Sequence, residues 1–313
     1  MGFVSISLRD VIGNYMTTLG NKNEKIVLVN ADLSGTCRNR NFALSFPNRF
    51  FNVGIAEQNM VSFAAGLSCE GFVPYVFTMA SFLTMRACEQ CRDDVAYGSR
   101  NVKMIGIYAG VSGGISGATH WAIEDIGIMN AIPGINIFEV CDQNQARNLL
   151  DYSLTIDKPM YIRVGIEPVD CIYPIDVKVT IGGSHLLRDG GDCFILTSGI
   201  TVKYSLKAAE ELEVRYGYKV GVIDLYSIKP IDIDAIIYAC KSGRLLVVQD
   251  HNINGGLGSI VATIIVKSGL SVKYQVLGIP DVFSPSAHAP ILYEKFYLDS
   301  KGITETILDL INN

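Results

Sequence analysis

Short β-branched runs alternate with stretches of helical apolar spacing from Ile26 to Val164, and that alternation predicts a parallel α/β layer. The runs are Ile26–Val29, Val73–Val76, Val102–Ile107, Ile135–Phe138 and Met160–Val164. Helical patterns fall between them, near 55 to 70, 80 to 97, 121 to 131 and 142 to 155. Pro168, Pro174 and Gly182-Gly183 then break the pattern, which reads as a linker. A second series follows, with strands at Cys193–Thr197, Lys219–Ile223 and Arg244–Val248 and helices at 201 to 216, 232 to 241 and 256 to 268. The expected fold class is α/β, with two domains that are each a mainly parallel sheet flanked by helices. Their expected bounds are 1–166 and 183–313, joined by a linker over 167–182.

One carboxylate sits oddly in this pattern. In Arg49-Phe50-Phe51-Asn52-Val53-Gly54-Ile55-Ala56-Glu57-Gln58-Asn59, an acid stands at the start of an apolar helix. Ala56, Met60, Phe63, Ala64 and Leu67 recur at helical spacing, so Glu57 is expected in the first turn, near or on the buried stripe. Complementing the helix dipole is the ordinary reason for such an acid.

Composition narrows the classes. With 313 residues, 49% of them hydrophobic and 18% charged, the chain can bury a large core. A net charge of -5 without a dense Lys/Arg block argues against nucleic acid as a partner. Met1 to Asp10 lacks the basic region and apolar core of a signal peptide, and no apolar run reaches membrane-spanning length. A cytoplasmic protein without a membrane partner is therefore expected. The mean hydropathy of +0.28 suggests that partner subunits cover part of the surface. The eight cysteines are scattered, so buried free thiols are expected. Cys88-x-x-Cys91 lacks a second ligand pair at zinc spacing and reads as packing. No phosphate-loop or dinucleotide fingerprint occurs, and Asn254-Gly255-Gly256-Leu257-Gly258 has the wrong glycine spacing for one.

Five co-linear motifs carry a family resemblance. They are Val53-Gly54-Ile55-Ala56-Glu57-Gln58 with Phe63-Ala64-Ala65-Gly66-Leu67, Ser81-Phe82 to Arg86-Ala87-Cys88-Glu89-Gln90, Gly117-Ala118-Thr119-His120, Glu124-Asp125-Ile126, and Ala131-Ile132-Pro133-Gly134. Together they resemble the pyrimidine-binding domain of transketolases and the related deoxyxylulose phosphate synthases. Asp250-His251-Asn252 and Gly255-Gly256-Leu257-Gly258 look like the C-terminal domain of that family. The resemblance covers the C-terminal half of a full-length transketolase. The Gly-Asp-Gly motif that serves the cofactor's diphosphate and metal does not occur in this sequence.

The resemblance implies thiamine diphosphate as cofactor, with Mg²⁺ (or Ca²⁺) held mainly by a partner subunit and no metal site on this chain. It implies a split enzyme: a separate N-terminal, diphosphate-binding subunit, self-association into an A2B2 assembly, and inactivity of this chain alone. The implied reaction moves a two-carbon ketol unit from a ketose to an aldose, with a small sugar phosphate or other anionic sugar as substrate. Glu57 would bond to ring nitrogen N1′ of the pyrimidine and favour the imino tautomer, whose nitrogen takes the thiazolium proton. Burial makes that sharing of a proton feasible. Phe82 would stack on the pyrimidine, with Ile55 and Met79 beside it, Met79 standing where the family has an aromatic. His120 would contact substrate oxygens. Arg9 and Arg163, with Thr36, would grip an anionic tail.

Two departures from the family stand in the same loop. Ser116, a substrate-binding candidate, occupies a position that is commonly acidic, and Tyr108 occupies one that is often histidine. Loss of the acid removes an acceptor for a sugar hydroxyl, which suggests a different preferred sugar. The β subunit of a 2-oxoacid dehydrogenase shares the size and layout and remains an alternative. So does a non-catalytic scaffold of the same fold.

Overall fold

Apart from the edge strand Lys273–Ile279, the longer strands are almost unbroken buried runs, as parallel sheets covered on both faces require. The computed structural model describes residues 5–312. In chain order the strands are β1 (Ile6–Ser7), β2 (Ile26–Asn30), β3 (Phe50–Asn52), β4 (Val73–Met79), β5 (Lys103–Ile107), β6 (Asn136–Glu139), β7 (Met160–Val164) and β8 (Pro168–Val169). The second series has β9 (His185–Arg188), β10 (Cys193–Thr197), β11 (Val220–Asp224), β12 (Ser227–Lys229), β13 (Arg244–Asn252) and β14 (Lys273–Ile279). A seven-stranded sheet runs β12-β6-β7-β5-β4-β2-β3, and a five-stranded sheet runs β14-β13-β10-β11-β9. All neighbours are parallel except β12 on β6 and β9 on β11, so both sheets are mainly parallel, as the alternation predicts.

Two connections tie the sequence halves together. β12 comes from the second series yet adds to the edge of the first sheet. Residues 167 to 182, read as a linker, pair through β8 with β1 and bury Tyr173, whose hydroxyl donates to Asp224. One buried cluster accordingly holds Leu8, Ile105 and Val140 together with Val222, Val248 and Ile307.

Local chemistry sets the helix ends. Helix α1 (Leu8–Lys22) buries Leu8, Ile12, Met16 and Leu19 on one face, with Asp10 in its first turn and Lys22 in its last, the signs its dipole favours. Asp142 caps the helix Gln143–Ser153 by accepting from the Gln145 amide. The helical pattern near 80 to 97 is less regular than its spacing suggests. Phe82–Arg86 and Cys91–Tyr97 are π-helical turns around the short helix Cys88–Gln90. Such widened turns recur at functional sites. All eight cysteines are free; Cys69 is exposed, and Cys88 and Cys171 are half-buried, so the expected burial holds for five of them. No helix among the described residues is long and apolar enough to cross a membrane.

Candidate functional site

Parallel strands end together, and open α/β sheets bind ligands beyond those carboxyl ends. The register here aligns Asn30 with Asn52 and Phe77, and Met79 with Ile107. The loops after β2, β3, β4 and β5 therefore meet along one edge. They carry Thr36, Glu57, Phe82 and His120 respectively.

Glu57 is the first residue of α2 (Glu57–Cys69) and is 5% exposed. Met60 and Ala64 bury the same helix against the sheet, whereas Phe63, expected inside, is exposed and packs edge-on against Phe51 at 5.2 Å. A cavity of about 480 Å³ opens at this helix start, lined by Ile55, Ala56, Glu57, Gln58, Asn59 and Arg86. Ile55 is exposed beside it, and Met79 is buried at the end of β4. Arg86 Nη1 donates to Glu57 Oε1 at 3.2 Å, and its guanidinium lies 3.7 Å from the centre of the Phe82 ring. The His120 ring sits 5.4 Å from that of Phe82 and shares a hydrogen bond with the Thr119 hydroxyl at 2.8 Å. One buried carboxylate, one aromatic face and one half-buried imidazole are thus linked in a chain through Arg86 and Phe82, with Glu57 and Arg86 lining the cavity.

A second cavity of about 560 Å³ is cationic, with Arg9, Thr36, Arg38, Arg40, Asn41 and Tyr108 among its lining. Arg9 Nη1 donates to the Tyr108 hydroxyl at 3.3 Å. Arg38 Nε is paired with Asp10 Oδ1 at 2.8 Å. Arg9 and Thr36 therefore come together as expected. Arg163 does not join them. Its guanidinium is 1% exposed, donates to Asp125 Oδ2 at 2.8 Å, to Glu139 Oε1, and to the carbonyls of Ala122 at 2.9 Å and Asp250 at 2.6 Å. A cation buried this deeply must spend its donors on the protein, so the expected anion grip is corrected to an internal ionic node. Residue order places Arg163 on a site-bearing strand without showing which face it occupies, which is why the expectation fails. Ser116 is exposed in the turn Gly114–Ser116, with no carboxylate in its place.

That ionic node reaches into the second series. Glu139 also accepts from Ser198 Oγ at 2.6 Å and Gln249 Nε2 at 3.0 Å. Asp250 accepts from the Val111 amide at 3.0 Å and the Tyr293 hydroxyl at 3.0 Å, while burial pushes its carboxyl up to about 7. His251 lies 3.9 Å from Asp125 with its ring fully buried, and desolvation pushes it down. The C-terminal motif Asp250-His251-Asn252 therefore acts in packing one half against the other.

Three arginines at these cavities carry no role in the sequence pattern. Arg86 closes a family motif without an assignment, and Arg38 and Arg40 lie outside every motif. The spacing Arg38-Asn39-Arg40, two residues after Thr36, is the one signal that points to a cationic loop.

Comparison with known proteins decides the family. Residues 4–165 match the transketolase pyrimidine-binding domain, and residues 182–303 match the transketolase C-terminal domain. The chain belongs to the transketolase family. A subunit of the apulose-4-phosphate transketolase of Phocaeicola vulgatus is 34% identical over 98% of this chain and 98% of its own length. A 6-deoxy-6-sulfo-D-fructose transketolase subunit of Clostridium sp. (strain MSTE9) is 35% identical over 95% of this chain and 92% of its own. A solved split-gene transketolase, described as an inactive β4 tetramer, superposes with a TM-score of 0.90 at 34% identity, covering 98% of this chain and 99% of that one. Transketolases are thiamine-dependent transferases, and the residues in hand can be tested against that cofactor. Glu57 offers a buried carboxylate at the cavity, and Phe82 a ring face that Arg86 bridges to that carboxylate, a donor and stacking set that fits the aminopyrimidine end.

Proposed function

We propose that this chain is the pyrimidine-side subunit of a split transketolase, moving a two-carbon ketol unit between a ketose donor and an aldose acceptor. The buried Glu57 carboxylate facing a cavity beside Phe82 is the observation that carries this reading. Thiamine diphosphate, when bound, supplies the nucleophilic thiazolium carbon. Glu57 shares a proton with ring nitrogen N1′, and removal from water strengthens that bond. Phe82 excludes water from the ring face. His120 holds an oxygen of the donor, and Arg9 with Thr36 holds the anionic tail. Residues 1–166 form the pyrimidine-binding unit, 183–313 the C-terminal unit and 167–182 their docked connection.

The diphosphate and its Mg²⁺ belong in this reading to a separate N-terminal subunit. Exposed apolar side chains around the site, Ile55, Phe63, Met85, Tyr97 and Ile115, support a covering partner and an A2B2 assembly. The named substrates of the two relatives, apulose-4-phosphate and a sulfofructose, support an anionic sugar without choosing its tail. Calorimetric titration with thiamine diphosphate tests the division of labour. Binding is expected when this chain is mixed with a diphosphate-binding transketolase subunit, and tight binding to this chain alone would contradict it.

A further inference from the structure

The loop between β5 and the helix Asp125–Ala131 carries His120 together with four glycines, Gly110, Gly113, Gly114 and Gly117. A long glycine-rich connection gives up much conformational freedom when it is ordered. Where His120 stands therefore depends on what anchors this loop.

Part of the anchoring is internal. The Gly110 amide donates to Ala122 O at 2.8 Å, and the Ala122 amide donates back to Gly110 O at 3.1 Å. Trp121 Nε1 donates to Gly114 O at 3.1 Å. These bonds close the loop into one unit, with His120 two residues before its neck at Ala122. Attachments outside the unit then set its place.

The first sheet and its loops supply a few of them: the Ala109 amide donates to Val164 O at 3.1 Å, and Ser81 Oγ donates to His120 O at 3.3 Å. The second series ties both arms of the loop to the end of β13. On the entering arm, the Val111 amide donates to Asp250 Oδ1 at 3.0 Å. On the leaving arm, the Asn252 amide donates to Ile123 O at 2.8 Å. Arg163 Nη2 joins the two by donating to Ala122 O and to Asp250 O. Gly114 also rests on the segment before the helix Ala289–Lys295, where a Cβ would fall 3.1 Å from Ala287 O.

Asp250 is the one residue of β13 that reaches the loop with its side chain. It is 1% exposed, and a carboxylate so deeply buried must be bonded. The Val111 amide occupies one oxygen and the Tyr293 hydroxyl the other, each at 3.0 Å. Gly110 leaves the room for it, since a Cβ there would fall 2.1 Å from the carboxylate. Loop and carboxylate are therefore in close contact on both sides of the Val111 amide.

We propose that Asp250 is a positioning residue for His120: through the Val111 amide, the second half of the chain holds the His120 loop against Phe82. This deepens the ketol-transfer reading and rests on it for what His120 does once it is placed. The anchoring itself is testable without turnover.

Hydrogen exchange is measured on the full-length chain as wild type, Asp250→Ala and Asp250→Asn, with melting curves to confirm that each folds. In D250A the amides of residues 110–123 are expected to exchange about tenfold faster, as loss of one bond to a charged group allows, while those of α1 keep their wild-type rates. In D250N the loop should stay protected, because asparagine offers its carbonyl oxygen to the Val111 amide and its NH₂ group to the Tyr293 oxygen. In the complex with a diphosphate-binding subunit, D250A should lower kcat/KM for ketol transfer by about 10–10²-fold at unchanged thiamine diphosphate affinity, and D250N should restore most of it. In a His120→Ala background the same D250A change should cost less than about twofold, because the two act as one unit; a general loss of stability would cost the same in both backgrounds.

Unchanged loop exchange in D250A, acceleration that is equal in the loop and in α1, or additive losses with H120A overturn the proposal. Should D250A fail to fold, Tyr293→Phe carries the test, since it keeps the ring and frees one side of the carboxylate. Its loop amides should exchange several-fold faster than those of wild type, and an unchanged rate there overturns the proposal. A complex that transfers no ketol unit, built from a chain whose loop protection depends on Asp250, overturns the functional reading and leaves the placement of His120 by Asp250 standing.

Discussion

Arg86 and Glu57 form an ion pair whose cation also covers the Phe82 ring: Nη1 is 3.2 Å from Oε1, and the guanidinium carbon is 3.7 Å from the ring centre. A flat guanidinium stacked on an aromatic face and bonded to a carboxylate makes the same two contacts that the proposed function assigns to the cofactor's aminopyrimidine. The two therefore compete. Arg86 is half exposed, so its side chain borders solvent. In the reconstituted complex, Arg86→Ala is expected to tighten thiamine diphosphate binding several-fold in a calorimetric titration. Weaker binding would mean that Arg86 holds Glu57 in place and stays when the cofactor arrives.

In the proposed ketol-transfer reading, His120 serves the substrate side of the same cluster. Its ring packs on Phe82 but makes no contact with Glu57 among the hydrogen bonds described. His120→Ala is expected to lower kcat/KM for ketol transfer by about 10²-fold, the order seen when one positioned donor is lost, with thiamine diphosphate affinity unchanged. Equal losses in both would place His120 against the cofactor.

The internal role of Arg163 makes a different prediction. Removing one partner from a buried ion pair strands the other charges, here those of Asp125 and Glu139. Arg163→Met should destabilise the chain by about 3–5 kcal/mol in denaturant melts. Phosphate titration of the folded variant should match wild type, since Arg163 does not line the cationic cavity. A large loss of phosphate affinity at unchanged stability would return Arg163 to the substrate.

Asp224 sets a pH dependence. Burial pushes its carboxyl up to about 7, with the Tyr173 hydroxyl, Gln145 Nε2 and Cys141 Sγ all donating to Oδ2. The unfolded chain releases that proton near its ordinary value of about 4. Between these two values the folded chain binds more protons than the unfolded one, so this group's contribution to stability falls as pH rises from about 4 to about 7. An asparagine in its place cannot ionise. The melting temperature of Asp224→Asn relative to wild type should therefore rise between pH 5 and pH 8. A difference that stays flat over that range would show that Asp224 is ionised throughout.

Much of this architecture is legible from residue order, because parallel strands buried on both faces leave continuous β-branched runs and their helices leave apolar stripes. Glu57 is legible for the same reason, since an acid on an apolar stripe is conspicuous. What the pattern does not show is pairing over long sequence separation. Ser227–Lys229 lies outside every strand and helix read from the pattern, and its antiparallel pairing with β6 makes it part of the first sheet. Arg163 lies on a buried strand that borders the site in sequence terms, and its role turns on Asp125 and Glu139, distant in sequence, and on the Asp250 carbonyl of the other half. Tyr108 reads in the sequence as a simple departure from a family pattern. Its φ of +63° and its bond to Arg9 exist only in three dimensions.

The central claim is that Glu57 makes this chain one half of a ketol-transfer enzyme. Its most direct test is ketol transfer from a ketose phosphate to an aldose, measured with this chain reconstituted with a diphosphate-binding transketolase subunit, comparing wild type with Glu57→Gln. Transfer is expected in the wild-type complex only when sugar donor and acceptor are both present, with a fall in kcat of about 10²–10⁴-fold in E57Q at unchanged melting temperature. Full activity in E57Q, or wild-type turnover of a 2-oxoacid in the absence of sugar, would contradict it.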